Sequence, residues 1–402
     1  MRKFLEENNI SFSDSVVQAI EAPRFTDRLT LRDYQVEALG KWEEAGRRGV
    51  LVLPTGAGKT ALAVRAISEL TVPTLVLVPT IDLLDQWEET LQSHGARVSV
   101  LGGGRREYGG LTVATYDSAS IGHAELGNKF MFLVFDEVHH LPSAVFSKVA
   151  KSSIAPYRLG LTATVEREDG LHAALPQLVG PVVYTATHSE MSGKYLADFE
   201  TEIIRVSLDP IEREAYEGLI KKYRSVLGKY RLRVRSPKDF QRLVILSGRN
   251  REIREALLAR SDAQRLAFNA DGKLKVLASL LKKYQGEKVI IFTQFNDLVE
   301  SISRKFLVPA ITHNTARDER KEILEMFRAG AYRCIATSKV LDEGVDVPDA
   351  SVGIILSGSG SKREYIQRLG RILRRKDGKI ARLIEVVTGG TMEVNTSARR
   401  KR

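Results

Sequence analysis

The run Leu53-Pro54-Thr55-Gly56-Ala57-Gly58-Lys59-Thr60 carries the residue types that hold a triphosphate. Gly56 and Gly58 free the backbone to curl so that successive N–H groups point inward, and a helix starting just beyond them adds its positive end. The run follows the apolar RGVLV and precedes the helix-forming ALAVRAISEL, the strand–loop–helix setting that a phosphate loop requires. Thr55, Gly56, Ala57, Gly58, Lys59 and Thr60 form the expected binding set, with Lys59 reaching the β- and γ-phosphates and the Thr60 hydroxyl ligating Mg²⁺. Further along, the apolar MFLVF ends in Asp136-Glu137-Val138-His139-His140. Of two carboxylates at a strand end, the first (Asp136) holds the metal through water and the second (Glu137) orients and deprotonates an attacking water. Two acids after a strand mean little alone. Downstream of a phosphate loop they point to nucleoside triphosphate hydrolysis. His139 and His140 lie too close together in sequence to make a good metal pair by themselves.

A third group lies near the C-terminus, in Gln367-Arg368-Leu369-Gly370-Arg371-Ile372-Leu373-Arg374. As a helix this segment puts Arg371 and Arg374, three apart, on one face. Such arginines stabilise the charge that spreads over a transferring γ-phosphate. A solvated basic face is the plainer reading; position at the far end of a second strand–helix block favours the catalytic one, with hydrolysis then coupled to closure of the two blocks.

The elements that must position these residues come in those two blocks. RGVLVLP, PTLVLVP, RVSVL, LTVAT, MFLVF and YRLGLTAT read as buried strands, Val/Leu-rich and continuous as parallel strands covered on both faces are. EKVIIFT, FLVPAIT, RCIATS, SVGIIL and ARLIEVV repeat the theme. Strand–helix alternation predicts a doubly wound α/β sheet in each block, with right-handed crossovers. Between the blocks, residues 205–265 lack strand rhythm and predict helices around a turn at Ser236-Pro237, and HSEMSGK before them predicts a loop or hinge.

Composition bounds the partners. A chain of 402 residues exceeds one ordinary core. Its 43% hydrophobic and 28% charged content is that of a globular protein, and no apolar run approaches the ~18–20 residues of a bilayer span. The start MRKFLEENNI shows no secretory pattern, and the single Cys334, in an apolar strand, excludes a disulfide framework or a cysteine cluster. A cytoplasmic setting is expected. The net charge of +11 is uneven: residues 221–250 hold ten lysines and arginines against Asp239 alone, a local +9. A polyanion is the natural partner, since each neutralised phosphate releases counterions; a solvated basic helix face is the plainer alternative.

From residue 28 to about 395 the ordered motifs resemble superfamily 2 helicases and, within them, the XPB family of archaeal type. Leu31-Arg32-Asp33-Tyr34-Gln35 resembles the adenine-reading motif, which implies nucleotide contacts from Arg32 and Gln35. LVLVPT with Asp82-Leu83-Leu84-Asp85-Gln86-Trp87, LTVATYDS, the Asp136-Glu137 stretch and Thr162-Ala163-Thr164 resemble motifs Ia, Ib, II and III. VIIFTQF resembles motif IV, and Thr337 to Asp346 resembles motif V, implying nucleotide contacts from Gly344 and Asp346. The Gln367–Arg374 segment resembles motif VI, adding Gln367 to that set. Helicase phosphate loops tolerate Leu53 where the general pattern has glycine. Arg167-Glu168-Asp169, just past motif III, resembles the XPB triplet credited with strand separation. The basic segment, with Arg231, Arg233 and Arg235, resembles the XPB thumb, which grips DNA by its backbone.

The resemblance implies two RecA-like doubly wound parallel-sheet domains, at 28–195 and 266–402, with a helical, basic, thumb-like insert (205–265) between or within them and a short segment 1–27 ahead. It implies ATP and Mg²⁺ as cofactors, duplex or forked DNA as partner, an expected 3′–5′ polarity, nucleotide excision repair as setting and an XPB-associated nuclease as companion. Only 27 residues precede the core, where XPB proteins usually carry a damage-recognition domain, which puts lesion recognition by this chain in question. A duplex translocase without strand separation is the nearest alternative; an RNA helicase and a relict ATPase scaffold are weaker ones.

Overall fold

The computed structural model describes residues 8, 20–167, 169–191, 194–195, 199–338, 350–358 and 381–400. The described residues fall into two compact units, the first ending at residue 195 and the second beginning at residue 199.

The first unit is built on an eight-stranded sheet: β1 Arg48–Val52, β2 Thr74–Val78, β3 Ser99–Gly102, β4 Arg105–Arg106, β5 Leu111–Thr115, β6 Phe132–Asp136, β7 Tyr157–Thr162 and β8 Val182–Thr185, in the order β4-β3-β5-β2-β6-β7-β1-β8. Every pairing is parallel except the β3–β4 hairpin. The continuous Val/Leu runs expected of doubly covered strands are buried throughout β2, β5 and β6. Helices α1 (Asp33–Glu44), α2 (Lys59–Leu70) and α3 (Ile81–Ser93) pack the faces, and Trp42 and Trp87 are buried in one core with Leu51, Leu62 and Ile67. β8 adds an edge that the apolar pattern did not single out; its mixed exposure is what an edge strand shows.

The second unit holds β9 Phe199–Val206, β10 Val289–Phe292, β11 Ala310–Ile311, β12 Cys334–Thr337, β13 Val352–Ile355 and β14 Ala381–Thr388, in the all-parallel order β11-β12-β10-β13-β14-β9. Sequence reading missed β9 because Glu200, Glu202 and Arg205 interrupt its apolar run. At a sheet edge such charges reach solvent and do not oppose pairing. The HSEMSGK stretch likewise opens with a helical turn, His188–Met191.

Between β9 and β10 run helices α4 (Pro210–Lys229), α5 (Pro237–Ser247), α6 (Arg251–Phe268) and α7 (Asp271–Lys283). Their starts follow local chemistry. Asp209 and Ser236 each cap a helix reciprocally with the residue three places on, Glu212 and Asp239, and each is followed by proline at the first helical position. Tyr216, Ala263, Ala267 and Phe268 form the small core under α4 and α6. A buried ion pair, Lys273 Nζ to Glu393 at 2.6 Å, joins α7 to the C-terminal helix Met392–Arg400, with the Leu356 carbonyl as a further acceptor.

Candidate active site

Register brings the chemistry of the first unit together. β1 pairs with β7 so that Val52 lies opposite Thr162, and β7 pairs with β6 so that Leu161 lies opposite Asp136. The C-terminal ends of three strands distant in sequence are therefore neighbours, at the edge where parallel α/β sheets bind ligands. The loop leaving β1 is tied to β7 by the Leu53 N–H donating to the Thr162 carbonyl at 2.9 Å.

The loop has the backbone that its glycines imply. Gly56 and Gly58 have φ of 85° and 73°, and Gly58 caps α2. At the φ of Gly58 a side chain would be strained, and a Cβ, 2.5 Å from Gln35 Nε2, would displace the Gln35 amide from its place on the loop. Lys59 begins α2 and its ammonium folds back onto the Leu53 and Pro54 carbonyls, at 3.2 and 3.4 Å. Thr60 follows in the same first turn. The Thr55 hydroxyl is buried without a hydrogen-bond partner among the described residues. An unsatisfied buried hydroxyl beside two left-handed glycines and a lysine resting on neutral carbonyls fits a site for a polyanion with its metal.

Asp136 and Glu137 end β6 in unlike environments. Asp136 is buried; its Oδ2 accepts from Trp87 Nε1 at 2.8 Å, its Oδ1 from the Glu137 N–H at 3.0 Å, and its carbonyl from the Tyr116 hydroxyl. Burial, and then the Glu137 charge, push its carboxyl above the usual range. Glu137 adopts a left-handed backbone, φ 47°, uncommon for a residue with a side chain and a form of local strain found at functional sites. Burial would raise its carboxyl too, but the His139 hydrogen bond and the Lys59, His139 and His140 charges outweigh it and hold Glu137 ionised. Its Oε2 lies 3.3 Å from His139 Nδ1 and 3.4 Å from the Thr162 hydroxyl, and His139 Nδ1 lies 3.0 Å from that same hydroxyl. The two adjacent carboxyls are thus pushed in opposite directions, Asp136 above the usual range and Glu137 below it, where it stays ionised. Thr162, Trp87 and Tyr116 were not among the candidate site residues. No local pattern marks a core aromatic as an aspartate's donor.

The upstream motif docks on the loop. Arg32 precedes α1, and its backbone N–H donates to Gln35 Oε1. Gln35 Nε2 donates to the Ala57 and Gly58 carbonyls at 3.1 and 3.3 Å, and the Tyr34 hydroxyl to the Ala57 carbonyl at 2.7 Å. The Arg32 guanidinium donates to the Tyr195 carbonyl and lies near that ring.

The charged triplet is wired to the same centre. Arg167 grips Asp169 through two bonds, 2.9 and 2.6 Å, and its Nη1 donates to the His139 carbonyl at 2.5 Å. This pairing raises the Arg167 pKa and holds the Asp169 carboxyl well below its usual range. In the basic segment, Arg231, Arg233 and Arg235 follow α4 on an exposed connection, alternating with half-buried Leu232 and Val234. Not all of the segment's charge is available: Lys222 and Lys229 pair with Glu255 and Glu252 of α6. Glu168, Gly344, Asp346, Gln367, Arg371 and Arg374 lie outside the described residues.

A glycine loop on β1, a lysine opening α2 and a carboxylate pair ending β6 define the first unit as a RecA-like P-loop nucleoside triphosphatase core. Residues 28–167 match the family described as "Type III restriction enzyme, res subunit" and residues 272–376 the "Helicase conserved C-terminal domain". The chain is 46% identical to the "DNA 3'-5' translocase XPB2" of Sulfurisphaera tokodaii over the whole of this chain and 91% of that protein. It is 30% identical to the "DNA 3'-5' helicase XPB" of Mycobacterium tuberculosis, over 92% of this chain and 63% of that one. It is 28% identical to the yeast "General transcription and DNA repair factor IIH helicase/translocase subunit XPB/SSL2", over 92% of this chain but 43% of that one. The solved Pyrococcus furiosus Hef helicase domain shares the fold, with a TM-score of 0.61 over 92% of this chain and 98% of that one at 20% identity. The chain belongs to the XPB family of superfamily 2 helicases and translocases.

Proposed function

We propose that the chain hydrolyses ATP at the C-terminal ends of β1, β6 and β7 and uses the cycle to move 3′–5′ along DNA. The convergence of Lys59, Asp136, Glu137 and Thr162 at one sheet edge carries this reading. In it the loop N–H groups and Lys59 bind the phosphates, and Thr60 and Asp136 hold Mg²⁺, which supplies positive charge against the developing negative charge. Glu137 takes the proton of the attacking water, with Thr162 and His139 fixing its carboxylate. Arg32 and Gln35 face the base, Gly344, Asp346 and Gln367 add nucleotide contacts, and Arg371 and Arg374 serve the transition state. Arg231, Arg233 and Arg235 track the DNA backbone, while Arg167, Glu168 and Asp169 act where strands part. Nucleotide excision repair, a companion nuclease and a cytoplasmic setting complete the proposal; the repair factor named among the relatives supports the first.

Movement on duplex without strand separation is the second reading. It is favoured by the engagement of Arg167 with His139 and Asp169, which occupies the guanidinium that a wedge would offer to DNA. ATPase rates with single-stranded, duplex and forked DNA and RNA, beside strand-displacement and triplex-displacement assays, test both readings. Stimulation by RNA alone would overturn the DNA reading. Triplex displacement without strand displacement would select the translocase. Loss of hydrolysis in Lys59→Ala ties the activity to this site.

A further inference from the structure

The segment ahead of α1 is fastened to the helix behind the phosphate loop by one buried carboxylate. Asp27 accepts from Arg65 Nε at 3.0 and 3.1 Å, from Arg65 Nη2 at 3.0 Å, from the Ser68 hydroxyl and from the Leu29 N–H at 3.0 Å. Arg65 Nη2 returns to the segment by donating to the Leu29 carbonyl at 2.6 Å. The Asp27 side chain is only 4% exposed, and the pair is bidentate, so the contact is unlike an ordinary surface ion pair. Burial works to raise the Asp27 carboxyl, yet the Ser68, Arg65 and Leu29 hydrogen bonds outweigh it and hold the group ionised. Arg65 and Ser68, three apart, share one face of α2, the helix whose first turn carries Lys59 and Thr60. Phe25, Leu29 and Leu31 pack against the core containing Ala57 and Leu62.

Asp27 stands five residues before Arg32, a span of at most about 17 Å even when extended. The base-reading stretch is therefore attached to the phosphate-holding element at two points. In front, Tyr34 and Gln35 bond the loop carbonyls. Behind, Asp27 bonds α2. Of the front contacts, the two from Gln35 use the same amide that base reading would recruit, whereas the Tyr34 hydroxyl bond does not. The rear contact uses only Arg65, Ser68 and Leu29, none of them a group assigned to the nucleotide.

We infer that Asp27, with Arg65 and Ser68, is a positioning clamp that sets the distance between the base reader and the phosphate loop and thereby the preference of the site for adenine nucleotides. The inference rests on the proposed base-reading role of Gln35. The clamp touches no reacting atom, so its loss loosens base selection while leaving the chemistry of bound nucleotide intact.

The test is KM and kcat for ATP and for GTP in the full chain at saturating DNA. Asp27→Ala is expected to raise KM for ATP about tenfold, the upper end of what losing one neutral hydrogen bond between Gln35 and the base would cost, to leave kcat within about twofold, and to narrow the ATP-over-GTP preference. Asp27→Asn, whose single acceptor oxygen replaces one of the two carboxylate oxygens that Leu29 and Ser68 use separately, is expected to fall between. Should Asp27→Ala fail to fold, Ser68→Ala removes a single donor and is expected to narrow the preference by a smaller factor. KM values for ATP and GTP that rise in equal proportion, or a kcat that falls with unchanged KM, overturn the clamp. Gln35→Ala separates the two ideas. If it keeps the full ATP preference, the base-reading role fails. If it loses the preference while Asp27→Ala and Ser68→Ala keep it, only the clamp fails.

Discussion

The phosphate end of the first unit and the basic helices of the second are both rich in charge, yet the charges are used differently. At the phosphate end, Asp136, Glu137, His139 and Thr162 are buried or nearly so, and each bonds its neighbours at fixed distances. In the basic segment, Arg231, Arg233 and Arg235 stand in solvent, and Lys222 and Lys229 are held by exposed glutamates. A buried charged group stripped of its partner pays a desolvation penalty that nothing returns, whereas exposed pairs are screened by water and salt. Single changes at the first region are therefore expected to act on rate by orders of magnitude. At the second, effects accumulate over several residues and appear in salt dependence.

The sharpest break of that comparison is Glu137→Gln. It keeps the shape and the hydrogen-bonding reach but not the proton acceptor, and turnover is expected to drop by about 10²–10⁴-fold, the usual contribution of a general base. Nucleotide binding is expected to persist. Single-turnover hydrolysis beside equilibrium binding measures both, and near-normal turnover would remove Glu137 from its role.

Trp87→Phe takes one donor from Asp136 without opening a large cavity. Hydrogen bonds to charged groups contribute roughly 1.5–3 kcal/mol, so the ionised form of Asp136 is disfavoured further and a higher Mg²⁺ concentration is needed for half-maximal ATPase. Raising Mg²⁺ is expected to restore the rate. A Mg²⁺ titration identical to that of the parent would show that the indole serves packing alone.

Neutralising Arg231, Arg233 and Arg235 together probes the exposed side. Every phosphate that goes unneutralised as a result flattens the slope of log K against log salt by up to about 0.9 on duplex, for all DNA sequences alike. Basal ATPase is expected to persist while DNA-stimulated ATPase falls. An unchanged slope with unchanged affinity would make the connection a solvated surface.

The smallest effect is expected from Lys229→Ala. Its partner Glu252 remains hydrated when the ammonium is removed, so thermal unfolding is expected to match the parent within experimental scatter. A large loss of stability would show that the α4–α6 pairing depends on this ion pair.

Much of this was legible before any coordinates. A phosphate loop is written in adjacent residues because its function is done by a short backbone curl. Buried parallel strands are written as apolar runs because both of their faces are covered; Ser236-Pro237, read as a turn between helices, is instead the capped start of the helix Pro237–Ser247. The order of such signals along the chain was enough to identify the family, and composition located the basic segment. Tertiary structure alone decided the partners. That Thr162 lies beside Val52 depends on which strands pair and in what register; that Trp87 serves Asp136 depends on how α3 seats on the sheet. The burial of Asp27 against Arg65, the engagement of Arg167 with the His139 carbonyl and the partial neutralisation of the basic helices by Glu252 and Glu255 have the same origin. Each is a choice between side chains far apart in sequence, which no local period encodes and which packing, desolvation and hydrogen-bond geometry settle only once the chain has folded.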